Sequence, residues 1–266
     1  MIDLGKKNVI GVLVDAVDYD AALYKIIEAT RKKSGLAVSA LAVHGIVTAV
    51  LDREQKYRLN NFDLIVPDGQ PLRWALNWIH GTKLSDRVYG PDLTLKICEQ
   101  AQSLGLGLYF YGSTPQILNA LKSRLKADLP QLVICGMEPS RFRRTSESEK
   151  QEIIARIRAS GAAIAFVGLG CPRQEVWAYE YNKELSIPVV SVGAAFSFHA
   201  GAMPQAPKWM QQRGLEWLFR LVCEPARLWR RYLLLSPLYF VLLLLQATGL
   251  KFATAGLPPT RELLHG

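Results

Sequence analysis

From about residue 8 to residue 205, short apolar runs alternate with amphipathic stretches, and no other feature of this sequence restricts the fold as much. The runs Asn8–Val14, Ala37–Val43, Leu64–Val66, Gly107–Tyr111, Leu132–Cys135, Ala162–Val167 and Val189–Val192 have the length and aliphatic content of strands. Between them, Ala21–Arg31, Ile46–Arg58, Leu93–Leu104, Pro115–Leu129, Glu147–Ala159 and Gln174–Leu185 carry helical periodicity. A helix returns the chain from the end of one strand to the start of its parallel neighbour, so this alternation predicts an α/β layered fold with a mostly parallel sheet. In such folds, ligands bind at the loops that follow the carboxyl ends of the strands.

The pattern changes near Pro204. Residues 206–231 read APKWMQQRGLEWLFRLVCEPARLWRR, with six basic side chains against Glu216 and Glu224 and with Trp209, Trp217 and Trp229 interleaved. Tyr232–Leu250, YLLLSPLYFVLLLLQATGL, is the one strongly apolar block. We therefore divide the chain into a body, 1–205, and a basic, aromatic appendage with an apolar tail, 206–266. Indole rings at headgroup depth, arginines on lipid phosphates and aliphatic side chains in the acyl boundary are what an interfacial anchor needs. Ser236, Pro237, Gln246, Thr248 and Gly249 interrupt the block, and Pro237 is expected to kink a helix or start a new one. A shallow, monotopic insertion fits better than a span, and an exposed tail of this kind also predicts self-association in solution.

Lys and Arg number 32 against 23 acids, a net charge of +9 that calls for an anionic partner. Nucleic acid is not expected, because the basic residues concentrate beside an apolar anchor and no recognised motif accompanies them. Cys98, Cys135, Cys171 and Cys223 are scattered without a C-x-x-C pair, which fits reduced thiols rather than a zinc knuckle or disulfide framework. Asp3 and the short run ending at Asp15 do not read as a secretory signal.

Three strand-to-loop junctions could carry chemistry. In VPDGQP, 66–71, Asp68 follows an apolar run in a turn made by Pro67 and Gly69; its carboxylate could face a ligand or serve only the turn. In FVGLGCPRQE, 166–175, Gly168 and Gly170 precede a proline at the expected first helical position, presenting backbone N–H groups to an anion or packing helix against strand. The loop lacks the third glycine of a dinucleotide fingerprint and the Lys-Ser/Thr of a phosphate-binding P-loop. In VGAAFSFHAG, 192–201, small residues flank two phenylalanines, and His199 is more readily structural than a donor to ligand. Arg87 has the planar fork that pairs with phosphate, and Asp92 is expected to cap a helix starting at Leu93. Asp18-Tyr19-Asp20 has a metal-binding spacing but opens an amphipathic helix, so capping is expected and no metal site.

Taken together, PDG at 67–69, Arg87 with Gly90, FVGLGCPRQE, VGAAFSFHAG and the run 206–233 resemble the WecG/TagA/CpsF glycosyltransferases, glycosyltransferase family 26, over residues 8–233. The resemblance implies a Rossmann-like enzyme without a cofactor. It would transfer a sugar from a UDP-sugar, with inversion and without metal, onto a polyprenyl-diphosphate-linked saccharide at the cytoplasmic face of the inner (plasma) membrane. It further implies Asp68 as base, Arg87 and Gln174 as substrate contacts, and an appendage that closes over the site and brings Arg220, Arg227 and Arg230. These three stand at i, i+7 and i+10, within about 80° on one face of a continuous helix. Two positions depart from the family pattern. Ala40-Leu41-Ala42 replaces a Thr-x-Asn, leaving His44 as the nearest polar side chain, and Ser197 replaces an acid. Both changes predict a hexose donor as readily as N-acetylmannosamine. The rival reading is a non-enzymatic, membrane-associated scaffold, which would bind no UDP.

Overall fold

The computed structural model describes residues 1–266. Six strands form one parallel sheet: β3 (Leu36–Leu41), β4 (Leu64–Pro67), β5 (Leu108–Gly112), β6 (Ile134–Glu138), β7 (Ile164–Gly168) and β8 (Pro188–Ser191), in the order β4-β3-β8-β7-β5-β6. Strand periodicity sends alternate side chains to opposite faces. In β7, Ile164 and Phe166 join one apolar layer and Ala165 and Val167 the other. Helices Tyr19–Arg31, Gly90–Leu104, Pro115–Asp128 and Ala195–His199 cover the first face; Val43–Leu51, Arg53–Asn60, Gln70–His80, Glu147–Ala159 and Arg173–Leu185 cover the second. Both faces being covered is why the strands read as continuous apolar runs.

The first and last strands of the sheet, β3 and β8, are neighbours in parallel register, with Ala37 opposite Val189 and Ser39 opposite Ser191. Beyond their carboxyl ends the chain leaves to opposite faces, through helix 43–51 on one side and helix 195–199 on the other. That divergence opens a crevice at the strand ends.

Several expected elements change form. Asn8–Val14 is a hairpin outside the main sheet, β1 (Asp3–Val9) paired antiparallel with β2 (Val12–Val17). Its turn puts Ile10 at φ 52° and Gly11 at φ 83°, a two-residue turn with both φ positive. A β-branched residue is costly there. The Asn8 side chain accepts from Gly11 N–H (2.7 Å), and Gln246 from the apolar tail accepts from Ile10 N–H (2.8 Å). The expected helix 46–58 is two, because Asp52 takes the N–H groups of Glu54 and Gln55 and starts a second helix. Helix 90–104 begins three residues before Leu93, so Asp92 lies inside its first turn and is not its cap. Asp18 does cap its helix, accepting from Ala21 N–H at 2.9 Å.

After residue 205 come short helices Lys208–Gln212, Glu216–Cys223 and Pro225–Arg230, a π-helical turn Arg231–Leu235, and helix Ser236–Ala247. Proline has no N–H and its ring crowds the carbonyl four residues back; the wider turn just before Pro237 absorbs both. Residues 225–247 are long and apolar enough to cross a membrane by length and composition. In this structure, however, Tyr239 and Leu243 are buried against the body, and Tyr239 Oη donates to Pro71 O at 3.1 Å. The opposite side is open, with Leu234, Val241 and Leu244 each more than half exposed. Residues 251–266 then run back over the body. Leu257 N–H donates to Arg53 O, and the Glu180 carboxylate takes the N–H groups of Leu263 and Leu264.

Candidate active site

The crevice is built by four strand-end loops and roofed by the arm, 206–230. Pro67 ends β4, and the Asp68 N–H donates to Leu41 O of β3 (3.0 Å), fixing the turn against the neighbouring strand. The Asp68 carboxylate accepts from Gly90 N–H at 2.8 Å, the first residue of helix 90–104. A side chain at Gly90 would meet Ala40 Cβ at 3.1 Å and Val192 O at 3.4 Å, so only glycine lets that N–H approach. Burial is the main cause that pushes the Asp68 carboxyl up to about 6; Glu216 adds to it, while Arg87, the Gly90 N–H and Arg220 oppose it. A carboxyl so placed can act as a base near neutral pH.

Arg87 is buried, its guanidinium 4.0 Å from the centre of the Tyr89 ring. Its Nη2 donates to Glu216 Oε2 (2.7 Å) and to Gln211 Oε1 (3.1 Å), both from the arm. Tyr89 Oη donates to Glu216 Oε1 at 3.2 Å.

Gln174 is buried, and most of its amide is already in use. Its Oε1 accepts from Gly170 N–H (3.1 Å) and Gly193 N–H (3.0 Å), tying the β7 loop to the β8 loop. Its Nε2 donates to Glu175 Oε1 (2.8 Å), which also accepts from Ser39 Oγ (3.1 Å). Gln174 is thus a clasp between two glycine loops, with one amide hydrogen left for a ligand. Gly170 needs its glycine for a φ of 77°. Gly168 packs against the Phe196 ring, which belongs to the core and not to a ligand platform. Pro172 is the N-cap of helix 173–185, one position before its expected place. The half-buried Cys171 thiol is pushed well up by desolvation and Glu175, which argues against it as a nucleophile.

His44 lies in the first turn of helix 43–51, with its buried Nδ1 lacking a partner. Burial, with help from Arg231, lowers it to about 4, so the ring is neutral at physiological pH. His199 turns away and pairs with Pro91 O at 2.9 Å.

Two cavities open here. One, of about 280 Å³, lies among the β7 and β8 loops and contains Gly168, Gly170, Gln174, Ser197, Arg220 and Arg227 on its wall. The other, of about 400 Å³, is lined by His44, Arg87, Trp74, Trp217, Tyr232 and Phe240 and meets the apolar helix. Asp68, Ala42, Glu216, Arg220 and Arg231 line both.

The expected arginines part company. Arg220 reaches both cavities, its guanidinium 5.7 Å from the centre of the Phe198 ring and its Nε without a partner. Arg227 reaches the smaller cavity while paired with Glu224 at 2.5 Å. Arg230 lines neither; it is exposed beside Trp229. The assumed single helical face fails because the helix breaks at Glu224, and Arg231 stands where Arg230 was expected. Sequence reasoning missed Glu216, Tyr89 and Arg231. Glu216 was visible as one of only two acids in a basic segment, which was a usable signal.

The model of the glycosyl transferase WecG/TagA/CpsF family matches residues 7–252, a range that takes in the apolar helix as well as the segments up to residue 233. A relative from Bacillus spizizenii, named N-acetylglucosaminyldiphosphoundecaprenol N-acetyl-beta-D-mannosaminyltransferase, is 31% identical over 176 residues. That segment spans 66% of this chain and 66% of the relative, just under two thirds of each.

Proposed function

The chain belongs to the WecG/TagA/CpsF family of glycosyl transferases, and from that premise we propose that it moves a hexose or N-acetylmannosamine from a UDP-sugar, with inversion, onto a polyprenyl-diphosphate-linked sugar. The observation that carries this reading is the place of Asp68, a carboxyl raised to about 6 on the wall common to both cavities.

In this reading the donor occupies the smaller cavity, with its sugar toward Asp68 and its diphosphate toward Arg220, Arg227 and Arg231. The lipid-linked acceptor enters the larger cavity, whose wall joins Trp217 of the arm to Phe240 of the apolar helix. As the acceptor hydroxyl attacks the anomeric carbon, its proton passes to Asp68 and a new C–O bond forms. The bond to the phosphate oxygen breaks on the opposite side, and UDP leaves with the electron pair. No divalent cation is assigned a role; arginines held in a partly desolvated roof meet the developing charge. His44, neutral at working pH, is a hydrogen-bonding contact for the acceptor in the larger cavity. Gly168, Gly170 and Gln174 shape the donor wall.

The apolar helix, docked by Tyr239 and open on its other side, supports a protein that lies on a membrane surface, and use of a UDP-sugar would put that surface on the cytoplasmic face. The relative's name supplies N-acetylmannosamine as one donor, while Ala40, Ala42 and Ser197 make the sugar wall less polar and favour a hexose equally. The test is UDP release with a panel of UDP-sugars in vesicles carrying polyprenyl-diphosphate N-acetylglucosamine or polyprenyl-diphosphate glucose. One donor–acceptor pair should turn over, and absence of UDP binding would return the chain to a scaffold role.

A further inference from the structure

The arm touches the body through few polar contacts. Every side-chain hydrogen bond or ion pair between residues 206–230 and the body ends on Arg87 or Tyr89: Gln211 and Glu216 on Arg87, and Glu216 on Tyr89. The Arg87–Glu216 pair is well shielded, its side chains only 8% and 14% exposed. Glu216 is also the first residue of helix 216–223, the segment that delivers Arg220, and it lines both cavities together with Asp68.

We propose that Glu216 is a positioning residue for the transfer: its carboxylate clasps Arg87 and Tyr89, locks the arm over the crevice, and brings a negative charge to the wall shared with Asp68 only when the arm is docked. This rests on the reading of Asp68 as the base. The logic is local. One carboxylate holds two body side chains with its two oxygens, so its loss leaves the Gln211–Arg87 bond as the remaining polar side-chain contact between arm and body. The same charge faces Asp68 across the shared wall and opposes its ionisation. The other groups around Asp68 are Arg87 and Tyr89 ahead of helix 90–104, Arg220 and Arg231 from the roof, and His44 from helix 43–51. Coupling the base to the arm would bring that charge to Asp68 only when the roof is in place, which suits an enzyme whose arm lies beside its lipid substrate.

Two variants separate charge from reach. Glu216→Gln keeps the length and an acceptor oxygen but removes the charge; Glu216→Asp keeps the charge but shortens the clasp. The full chain in detergent, labelled with 13C at the aspartate carboxyl carbons, gives the Asp68 titration directly, with the resonance assigned by its loss in Asp68→Asn. Trypsin cleavage after Arg213 and Arg220 reads arm docking.

Glu216→Gln should move the Asp68 midpoint down by about half a unit or more. Glu216→Asp should speed arm cleavage severalfold, with Glu216→Gln between it and the parent. An unchanged Asp68 midpoint in Glu216→Gln, or cleavage rates equal to the parent in both variants, would overturn the proposal. A purely structural Glu216 would speed cleavage without moving the titration of Asp68. Sugar transfer by Asp68→Asn is the separate control: if it persists, the base assignment fails, and this proposal with it. If it is lost while both readouts stay at parent values, only the Glu216 proposal fails.

Discussion

The strand-end loops and the arm line the same two cavities, yet they are held in different ways. Asp68 is fixed by a backbone bond to β3, by the N-terminus of helix 90–104, and by a sheet buried on both faces. Arg220 opposite it rides on an arm whose polar side-chain links to the body all end at Arg87 and Tyr89, whereas Arg231 stands ahead of a helix pinned by Tyr239 and Gln246. Regions with few buried contacts open first. In the proposed reading, the molecule separates a rigid part that carries the base from a more loosely held arm that carries Arg220.

Removing the loosely held arm should break this comparison most sharply. Replacing residues 206–224 by a flexible linker of equal length, which leaves the apolar helix and residues 251–266 on the body, should abolish UDP release while the far-ultraviolet circular dichroism of the body is kept; transfer at parental rate would show the roof to be dispensable. Next, Arg220→Ala should lower kcat about a hundredfold, the scale for one donor to a developing oxyanion, with an unchanged melting temperature. Arg230→Ala should stay within about twofold, since an exposed side chain outside the cavities has little to lose. On the rigid side the expected effects fall on stability. Gln174→Ala leaves the N–H groups of Gly170 and Gly193 without their partner and should cost about 2 kcal/mol in urea unfolding. Smallest, Gln246→Ala should cost about 1 kcal/mol, because it removes the pairing with Ile10 N–H and Asn8 O that pins the apolar helix to the hairpin.

How much of this the sequence disclosed follows the same division. The sheet was legible because burial on both faces makes each strand a continuous apolar run; the PDG turn after one of them marked Asp68 only as a candidate, and its role as base came from the family resemblance. The Ile10–Gly11 turn was not, since an isoleucine at positive φ contradicts local preference and is supported by Gln246 far along the chain. Gln174 was picked out as a ligand contact, but its role as a clasp depends on Gly193, which only the folded sheet brings near. The arm was legible as a basic, aromatic segment. Its register was not: the break at Glu224 decides that Arg231, rather than Arg230, faces the site. Glu216 shows its meaning only once the arm folds back onto Arg87.

The stability of the site carries a sign of its own. Asp68 binds its proton more tightly in the folded chain than at its ordinary value of 3.8, so ionising it as pH rises through 4 to 6 costs folding free energy. Asp68→Asn should accordingly melt no lower than the parent at pH 7, a base being maintained at the expense of the fold.

The most direct test of the account is the pH dependence of kcat/KM for UDP release, measured in acceptor-bearing vesicles for the parent and for Asp68→Asn. The parent should lose activity as pH falls through about 6, and the variant should be slower by about a thousandfold on the neutral plateau and show no such acidic limb. A variant that turns over near the parental rate with the same acidic limb would contradict the assignment of Asp68 as the base.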